Sequence, residues 1–492
     1  WHAFKAVKTA FDPEWYMHPG NVVYRDGPED PGPDGERGVG ADMREHLRYG
    51  AEYQSLEPQT SLDFSDEGGF SHLVELCNGC GTCRQHGTDT MCPTFRASRE
   101  EIQATRGRAN MLRAAISGEL SDDELYSERF QSEVLDLCVG CKGCKSDCPT
   151  GVDLAKLKAE VKHEYHQEKG TSLRSRLFGN IDRVSAIGST LAPLANAAQK
   201  LPGSGLVAEK VLGIAPDRDL PKFTRTTLED WFVARGRSQV PAEEAEDRVL
   251  LFPDTYTNYS YIEPGKAAVE VLEAADVHVQ VLDSDEVAPS GRAAFSMGLL
   301  DEAHDRAQTN LEALAPYVED GWSVLFVEPS DAVMFQDEYT DLLGGESADP
   351  RADDRVEDLA VAAYGVSEYL NTHAVYDRID FDAPDEYLTY HGHCNQKALD
   401  RDFHAAVTLR EAGYDVDHLD SSCCGMAGSF GYEAEHYDVS KAIGHILYEQ
   451  VEDSPGDTVV APGASCRSQL GDDDFEGEHP PHPVEKLAAA LA

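Results

Sequence analysis

From about Val249 onward, short runs rich in β-branched and apolar residues alternate with stretches whose apolar positions recur at helical spacing. VLLFPD, VHVQVLD and SVLFVEP predict strands, and PGKAAVEVLEAA predicts a helix. The order βαβ implies parallel strands with helices packed on them. The same order recurs: EYLTYHGHC is a strand, DFHAAVTLREAG a helix and YDVDHLD a strand. A helix from about Glu433 to Val451 follows, with TVVAPGASC as a last strand. DSDEVAPSGRAAFSMG faces DSSCCGMAGSFG, and SVLFVEPSDAV faces TVVAPGASCRS. The chain therefore carries an internal repeat of about a hundred residues.

Nearer the start the pattern is helical. SREEIQATRGRANMLRAAISGELS predicts a helix opened by a Ser98–Glu101 capping box and stopped at Gly118. VDLAKLKAEVKHEYHQE places Val152, Leu154, Leu157 and Val161 on a helical period. No apolar run reaches the length of a membrane span, the nearest stretch, Val184 to Leu201, being broken by Pro193. No signal peptide is visible. The chain starts at Trp1 rather than Met, which suggests a fragment or a processed product.

Charge narrows the class. Asp and Glu number 90 against 42 Lys and Arg, a formal net charge of −48 spread along most of the length. Such self-repulsion opposes compaction unless salt screens it, so the composition points to a very salty cytoplasm, that of an extreme halophile. No basic stripe survives, and nucleic-acid binding is disfavoured.

Twelve cysteines in an unsecreted chain argue for metal rather than disulfides. LCVGCKGCKSDCPTG places Cys138, Cys141, Cys144 and Cys148 in the C-x2-C-x2-C-x3-C-P run of cubane [4Fe–4S] proteins. CNGCGTCRQHGTDTMCP gives a second run, Cys77, Cys80, Cys83 and the remote Cys92 before Pro93. In two-cluster proteins the remote cysteine of one run ligates the other cluster. One cluster is therefore assigned to Cys77, Cys80, Cys83 and Cys148, and the other to Cys138, Cys141, Cys144 and Cys92. Gly79, Gly81, Gly140 and Gly143 suit backbone folded tightly round a cluster. Arg106, Arg108 and Arg113 are candidates to tune the clusters, against the favoured alternative of ordinary salt bridges. The competing reading is a pair of zinc sites, but the doubled run with two Cys-Pro partners favours cubanes.

The remaining four cysteines, Cys394, Cys423, Cys424 and Cys466, fall in the second repeat, at strand ends where ligands gather in open parallel sheets. The first copy has none, with Pro289 and Ser290 where the pair would be, and reads as scaffold. Three readings compete for these thiols: inert buried groups, a zinc site, or a third iron–sulfur cluster. His391 and His393 are candidate ligands or proton carriers, against the alternative of solvated loop histidines.

Taken together these residues resemble the iron–sulfur portion of FAD-linked D-2-hydroxyacid dehydrogenases, enzymes that oxidise D-lactate and glycolate and in which a flavin domain precedes or partners this arrangement. The likeness includes LRYGAEY, TRGRANMLR, SLRSRLFGNIDR, PSGRAAFSMGLLDEA, HGHC, CCGMAGSFG and GASCR. FKAVKTAFDPEWYMHPGNVVY, Phe4 to Tyr24, resembles the closing segment of the FAD-linked oxidase domain, with His18-Pro19-Gly20 in place of Asn-Pro-Gly. Two-copy CCG proteins such as heterodisulfide reductase subunits end their motif C-x-x-C, whereas this chain reads Cys466-Arg467-Ser468-Gln469.

The resemblance implies an α+β multidomain chain: a helical ferredoxin domain with two [4Fe–4S] clusters, then two repeated α/β CCG-type units. The boundaries expected are an oxidase-domain tail over 1–24, an acidic linker over 25–71 and the ferredoxin domain over 72–170. A helical connector over 171–245 leads to the cysteine-free unit at 246–345, and a second over 346–380 leads to the cysteine-bearing unit at 381–492. The resemblance further implies FAD in an upstream or partner domain, with electrons leaving to a quinone, cytochrome or flavoprotein. No catalytic residue is expected in this chain. The expected location is the cytoplasm or the inner face of the cell membrane, where peripheral contact is open. The rivals are the iron–sulfur subunit of a glycerol-3-phosphate dehydrogenase, a heterodisulfide-reductase-like subunit, and a zinc-stabilised interaction module.

Overall fold

The computed structural model describes residues 2–17, 23, 53–86, 91–201, 203–344, 350–472 and 479–492. His18-Pro19-Gly20 of the expected oxidase-domain tail and most of the acidic linker lie outside these. The chain falls into two compact units, Trp1–Leu56 and Glu57–Ala492. In the first, the helix His2–Phe11 is followed by a turn that Asp12 organises, accepting from the Tyr16 and Met17 amides at 3.0 and 2.9 Å.

In the second unit, two parallel sheets follow a helical region. The first contains β1 (Asp247–Leu251), β2 (Val277–Val281), β3 (Ser323–Phe326) and β4 (Ala363–Gly365), in the order β2-β1-β3-β4. The second contains β5 (Tyr387–Tyr390), β6 (Asp415–His418) and β7 (Thr458–Val460), in the order β6-β5-β7. In each sheet the opening strand lies inside, the next on one side of it and the third on the other, so the repeat read from sequence has one topology. Strand β4 falls in the stretch expected to be a helical connector. Its three residues are too few to show a period, and it forms because Val324, Leu325 and Phe326 offer it a parallel edge. The last predicted strand is also shorter than expected: TVV pairs, and Ala464–Leu470 is already helix.

Strands buried on both faces need apolar residues at every position. Strand β1 alternates its side chains between two cores. Leu250, followed by Phe252, packs into the core that also holds Leu73, Leu112 and Leu157 of the cysteine-rich helical region. Val249 and Leu251 pack into the core shared with Leu388, Tyr390 and Val416 of the second sheet. The first sheet is thus the middle layer.

The helical region departs from expectation at one place. Ser98 does not cap a long helix but ends the short helix Pro93–Ser98. Arg99 then turns left-handed, and the long helix runs Thr105–Ile116. The break lets the Gln103 carbonyl turn back to accept from Cys92 Sγ at 3.2 Å. Gly118 follows the helix with φ of 77°. The helix Leu154–Lys169 forms as predicted, and its periodic residues Val152, Leu154, Leu157 and Val161 are all buried. The end of the expected linker is ordered: the Ser61 and Leu62 amides donate to Glu160 at 2.8 and 2.9 Å, and Leu62 and Phe64 are buried. Glu160 supplies acceptors that composition alone cannot reveal.

Helical region and first sheet are joined by buried charge as well as by apolar packing. Lys142, left-handed at φ 58°, donates to Glu338 at 3.0 Å and also pairs with Asp337. Arg292 binds Glu338 through both nitrogens, at 2.9 and 2.6 Å. Glu338 ends a π-helical turn, Met334–Glu338, that brings both acids to one side. Lys156 makes a second link, at 2.8 Å to Glu67 and 2.8 Å to Asp341. Removing one partner of a buried pair strands the other charge, at a cost of about 3–5 kcal/mol. Glu338→Ala should therefore destabilise the chain by about that much in chemical denaturation. Glu433→Ala, at the less enclosed pair with Arg174, should cost far less.

Candidate metal centres

The first cysteine run begins where the helix Phe70–Glu75 ends, its Phe70, Leu73 and Val74 buried. Gly79 and Gly81 take φ of 79° and 84°, turning the backbone back on itself as the spacing predicts. Cys77 and Cys83 are buried, and Cys80 is exposed beside the Thr82 hydroxyl at 3.4 Å. The Cys83 thiol is pushed up to about 11, first by burial and then by Cys92 and Cys77, while the Arg106 amide at 3.4 Å opposes the rise. Arg106 also ties the loop down, donating to the Gly79 carbonyl at 3.2 Å and pairing with Glu101.

In the second run Gly140 is left-handed as expected. Gly143 is not: Lys142 takes the positive φ, and Gly143 opens the helix Gly143–Asp147 that carries Cys144. The Leu154 amide donates to Cys144 Sγ at 3.3 Å. Burial raises Cys144, with Asp153, Cys138 and Cys92 adding to it. Cys148 Sγ lies 3.4 Å from the Thr150 hydroxyl.

Cys92, Cys138, Cys141 and Cys144 line one cavity of about 330 Å³ including its open mouth, so the remote cysteine of the first run meets the three close cysteines of the second. Arg108 lines the same cavity. The ion pair with an acid that spacing suggested is replaced by other contacts: the buried guanidinium donates to Cys92 Sγ at 3.5 Å and to the Val134 and Gln103 carbonyls. Its Nη2 is buried with no hydrogen-bond partner among the described residues. Four thiols and one orphaned donor fit a sulfur-rich anionic group, to which the guanidinium supplies the missing contact. The sequence names Arg106, Arg108 and Arg113 together as candidates to tune the clusters but favours ordinary salt bridges, because no helical period distinguishes this arginine from the other two.

The second constellation is assembled by three strand ends. After β5 come His391, His393 and Cys394; after β6, Cys423 and Cys424; after β7, Cys466, in the first turn of the helix Ala464–Leu470. Cys394 neighbours Cys423, Cys423 neighbours Cys424, and Cys424 neighbours Cys466. The Cys423 and Cys466 thiols, and then His391, hold Cys424 well below the ordinary thiol range against the effect of burial. His391 and His393 are not solvated: both are buried. His391 Nδ1 meets the Ser421 hydroxyl at 2.7 Å, its Nε2 has no hydrogen-bond partner among the described residues, and the side chain neighbours Cys424. Burial pushes His393 down to about 4, and its Nδ1 accepts from the Asn395 amide at 3.3 Å. Among the described residues no three His, Cys, Asp or Glu side chains are grouped as a single metal ion would need.

The two constellations are neighbours. Cys394 is the largest influence on the Cys141 thiol after burial, and Asn395 Nδ2 donates to the Gly140 carbonyl at 3.3 Å.

At the matching corner of the cysteine-free sheet stand carboxylates. Asp254 follows β1, Ser290 follows β2, and Glu328 and Asp331 follow β3. Ser290 donates to Asp331, and Glu328 accepts from the Ala464 amide at 2.8 Å, capping the helix that carries Cys466. Burial, then the neighbouring Asp254, raises Glu328 to about 7 and Asp331 to about 8.

Residues 73–152 match the 4Fe-4S dicluster domain family, and residues 388–471 match the cysteine-rich CCG domain family. Over 431 aligned positions the chain is 27% identical to a subunit of the anaerobic glycerol-3-phosphate dehydrogenase of Escherichia coli strain K12, covering 85% of this chain and 98% of that protein. It is 23% identical to the D-2-hydroxyglutarate dehydrogenase of Haemophilus influenzae over 555 positions, 100% of this chain and 49% of that protein. It is 22% identical to the glycolate oxidase iron-sulfur subunit of E. coli K12 over 403 positions, 81% of this chain and 90% of that protein. The chain therefore spans about half the length of the D-2-hydroxyglutarate dehydrogenase and nearly all of the two subunits. It is a 4Fe-4S dicluster and CCG domain protein related to the D-2-hydroxyglutarate dehydrogenase, the glycolate oxidase iron-sulfur subunit and the anaerobic glycerol-3-phosphate dehydrogenase subunit, and the dicluster domain implies two [4Fe–4S] clusters.

Arg108→Gln removes a buried positive donor from the cavity of Cys92, so one cluster's midpoint potential should fall by on the order of 50 mV in an EPR-monitored titration. A further outcome concerns Asp331, whose folded form holds a proton that the unfolded chain releases near the ordinary 3.8. Stability is therefore lost as pH rises from the unfolded toward the folded value. Asp331→Asn removes that slope, and its gain in melting temperature over the parent should be larger at about pH 8 than at about pH 6.

Proposed function

We propose that this chain is the electron-transfer half of an FAD-linked 2-hydroxyacid dehydrogenase of the D-lactate or glycolate type. The flavin resides in a fused upstream domain or a partner subunit, and the acceptor is a quinone, a cytochrome or a flavoprotein. The coverage of this whole chain by the D-2-hydroxyglutarate dehydrogenase carries the reading, and the Asn395 bond to the Gly140 carbonyl sets the CCG constellation beside the second cysteine run. Cys77, Cys80, Cys83 and Cys148 would hold one cluster, and Cys138, Cys141, Cys144 and Cys92 the other. One-electron carriage is the chemistry such clusters supply.

The chain's own residues set the charge around these sulfurs. The Arg106 and Leu154 amides donate to Cys83 and Cys144, and Arg108 donates to Cys92. Each donor favours extra negative charge on sulfur. In the CCG constellation the ends of three strands bring Cys394, Cys423, Cys424 and Cys466 side by side. That supports them as a third metal or cluster site over inert thiols. Cytoplasmic placement at high salt, read from the net charge, belongs to the same proposal.

A second reading is supported by the likeness that spans 98% of the glycerol-3-phosphate dehydrogenase subunit. Against it stand the full coverage of this chain by the D-2-hydroxyglutarate dehydrogenase and the likeness of Phe4–Tyr24 to the close of an oxidase domain. The native polypeptide from its source cells decides. A chain much heavier than 53.8 kDa with bound FAD, whose visible cluster absorbance bleaches on adding a D-2-hydroxyacid, is the expected result. Bleaching by glycerol 3-phosphate alone gives the second reading. A colourless, zinc-loaded protein overturns both.

A further inference from the structure

The loop Leu419–Ser422 leads from β6 to Cys423 and Cys424, and it is held from two sides. From its own unit, Lys397 donates to the Leu419 and Ser421 carbonyls at 3.1 and 2.6 Å, and His391 Nδ1 meets the Ser421 hydroxyl. Lys397 stands on the short helix Cys394–Ala398, so these contacts join two of the three strand ends that assemble the thiols. From the helical region, Arg96 Nη1 donates to the Ser422 hydroxyl at 3.1 Å. Arg96 lies one turn along the helix Pro93–Ser98, which Cys92 opens, and its amide donates to the Cys92 carbonyl at 3.1 Å. One side chain thus ties the helix of Cys92 to the residue before Cys423.

Arg96 is only 6% exposed. Its guanidinium bonds a hydroxyl, and the acid that acts on it, Asp420, does so through space. Burial therefore draws its pKa down from the ordinary value, yet a guanidinium stays charged in a protein. A charge so placed is costly unless negative charge lies near it. A tie that served packing alone would need no charge: at the same junction the neutral amide of Asn395 bonds the Gly140 carbonyl at 3.3 Å. A cation is called for where negative charge gathers, and the sulfurs of a reduced cluster gather it.

We propose that Arg96 is a positioning residue for electron transfer. It fixes the loop of Cys423 and Cys424 against the helix of Cys92, and it holds a positive charge at that junction, favouring the reduced form of the cluster assigned to Cys92. One electron, supplied by the flavin, arrives and departs with no bond made or broken. This deepens the electron-transfer reading and rests on it.

The test is an EPR-monitored redox titration of the full, cluster-loaded chain and its variants Arg96→Gln, Arg96→Lys and Ser422→Ala. It is joined to alkylation of Cys423 and Cys424 by iodoacetamide, followed by mass spectrometry. At the parent's midpoint potential for one cluster, the ratio of reduced to oxidised should fall about tenfold in Arg96→Gln, about 59 mV for one electron. The other cluster should not move. Arg96→Lys keeps the charge and should stay within about twofold of the parent. Labelling of Cys423 and Cys424 should quicken about fivefold or more in Arg96→Gln and in Ser422→Ala, each of which loses the bond. If Arg96→Gln loads its clusters poorly, labelling of Ser422→Ala decides, and an unchanged rate overturns the proposal. Reducible clusters whose ratio Arg96→Gln leaves unmoved, or an equal fall in Arg96→Lys, overturn this proposal alone. A parent chain with no reducible cluster overturns the electron-transfer reading and this proposal with it.

Discussion

Glu338 is the hinge of this architecture. Its buried carboxylate is claimed from one side by Lys142, inside the second cysteine run, and from the other by Arg292, on the cysteine-free sheet. A charge placed so deep is tolerated only where its partners are fixed. The register between helical region and sheet is therefore set by chemistry as well as by the apolar core they share. Lys142 is itself held by backbone turned left-handed between two cysteines, so the geometry of the cysteine run and the docking of the sheet constrain each other.

From that joint outward, the molecule reads as layers that bring sulfur to sulfur. Strand β1 feeds alternate side chains to cores on either side, and the second sheet packs on the far side of the first. The strand ends of the second sheet nevertheless reach back to the helical region, where Asn395 meets Gly140. Both sheets place their polar groups beyond the carboxyl ends of the strands, beside an inner strand whose neighbours connect in opposite directions. In one sheet these groups are thiols and in the other carboxylates.

Much of this was legible in the chain. Cysteine spacing pointed to the close groups because C-x2-C-x2-C leaves the backbone few ways to turn, and Gly79, Gly81 and Gly140 take the left-handed conformations this requires. Strands β1, β2 and β3 announced themselves as apolar runs because both their faces are buried. What was hidden depends on contacts distant in sequence. Arg108 looks like one of three equivalent arginines until the fold aims it at Cys92. Ser98 looks like a cap until Arg99 turns. Strand β4 is three residues long and exists because β3 offers an edge. His391 and His393 read as loop residues because burial is a property of the sheet end, not of HGHC.

Glu328 has a wider bearing. It belongs to the copy that carries no cysteine, yet its carboxylate closes the amino end of the helix on which Cys466 stands. The copy without cysteines is nevertheless tied to the other, which leans on it for the first turn of the helix that carries Cys466. The two halves of the repeat have become a single inheritance, in which change on the silent side is felt at the sulfur on the other.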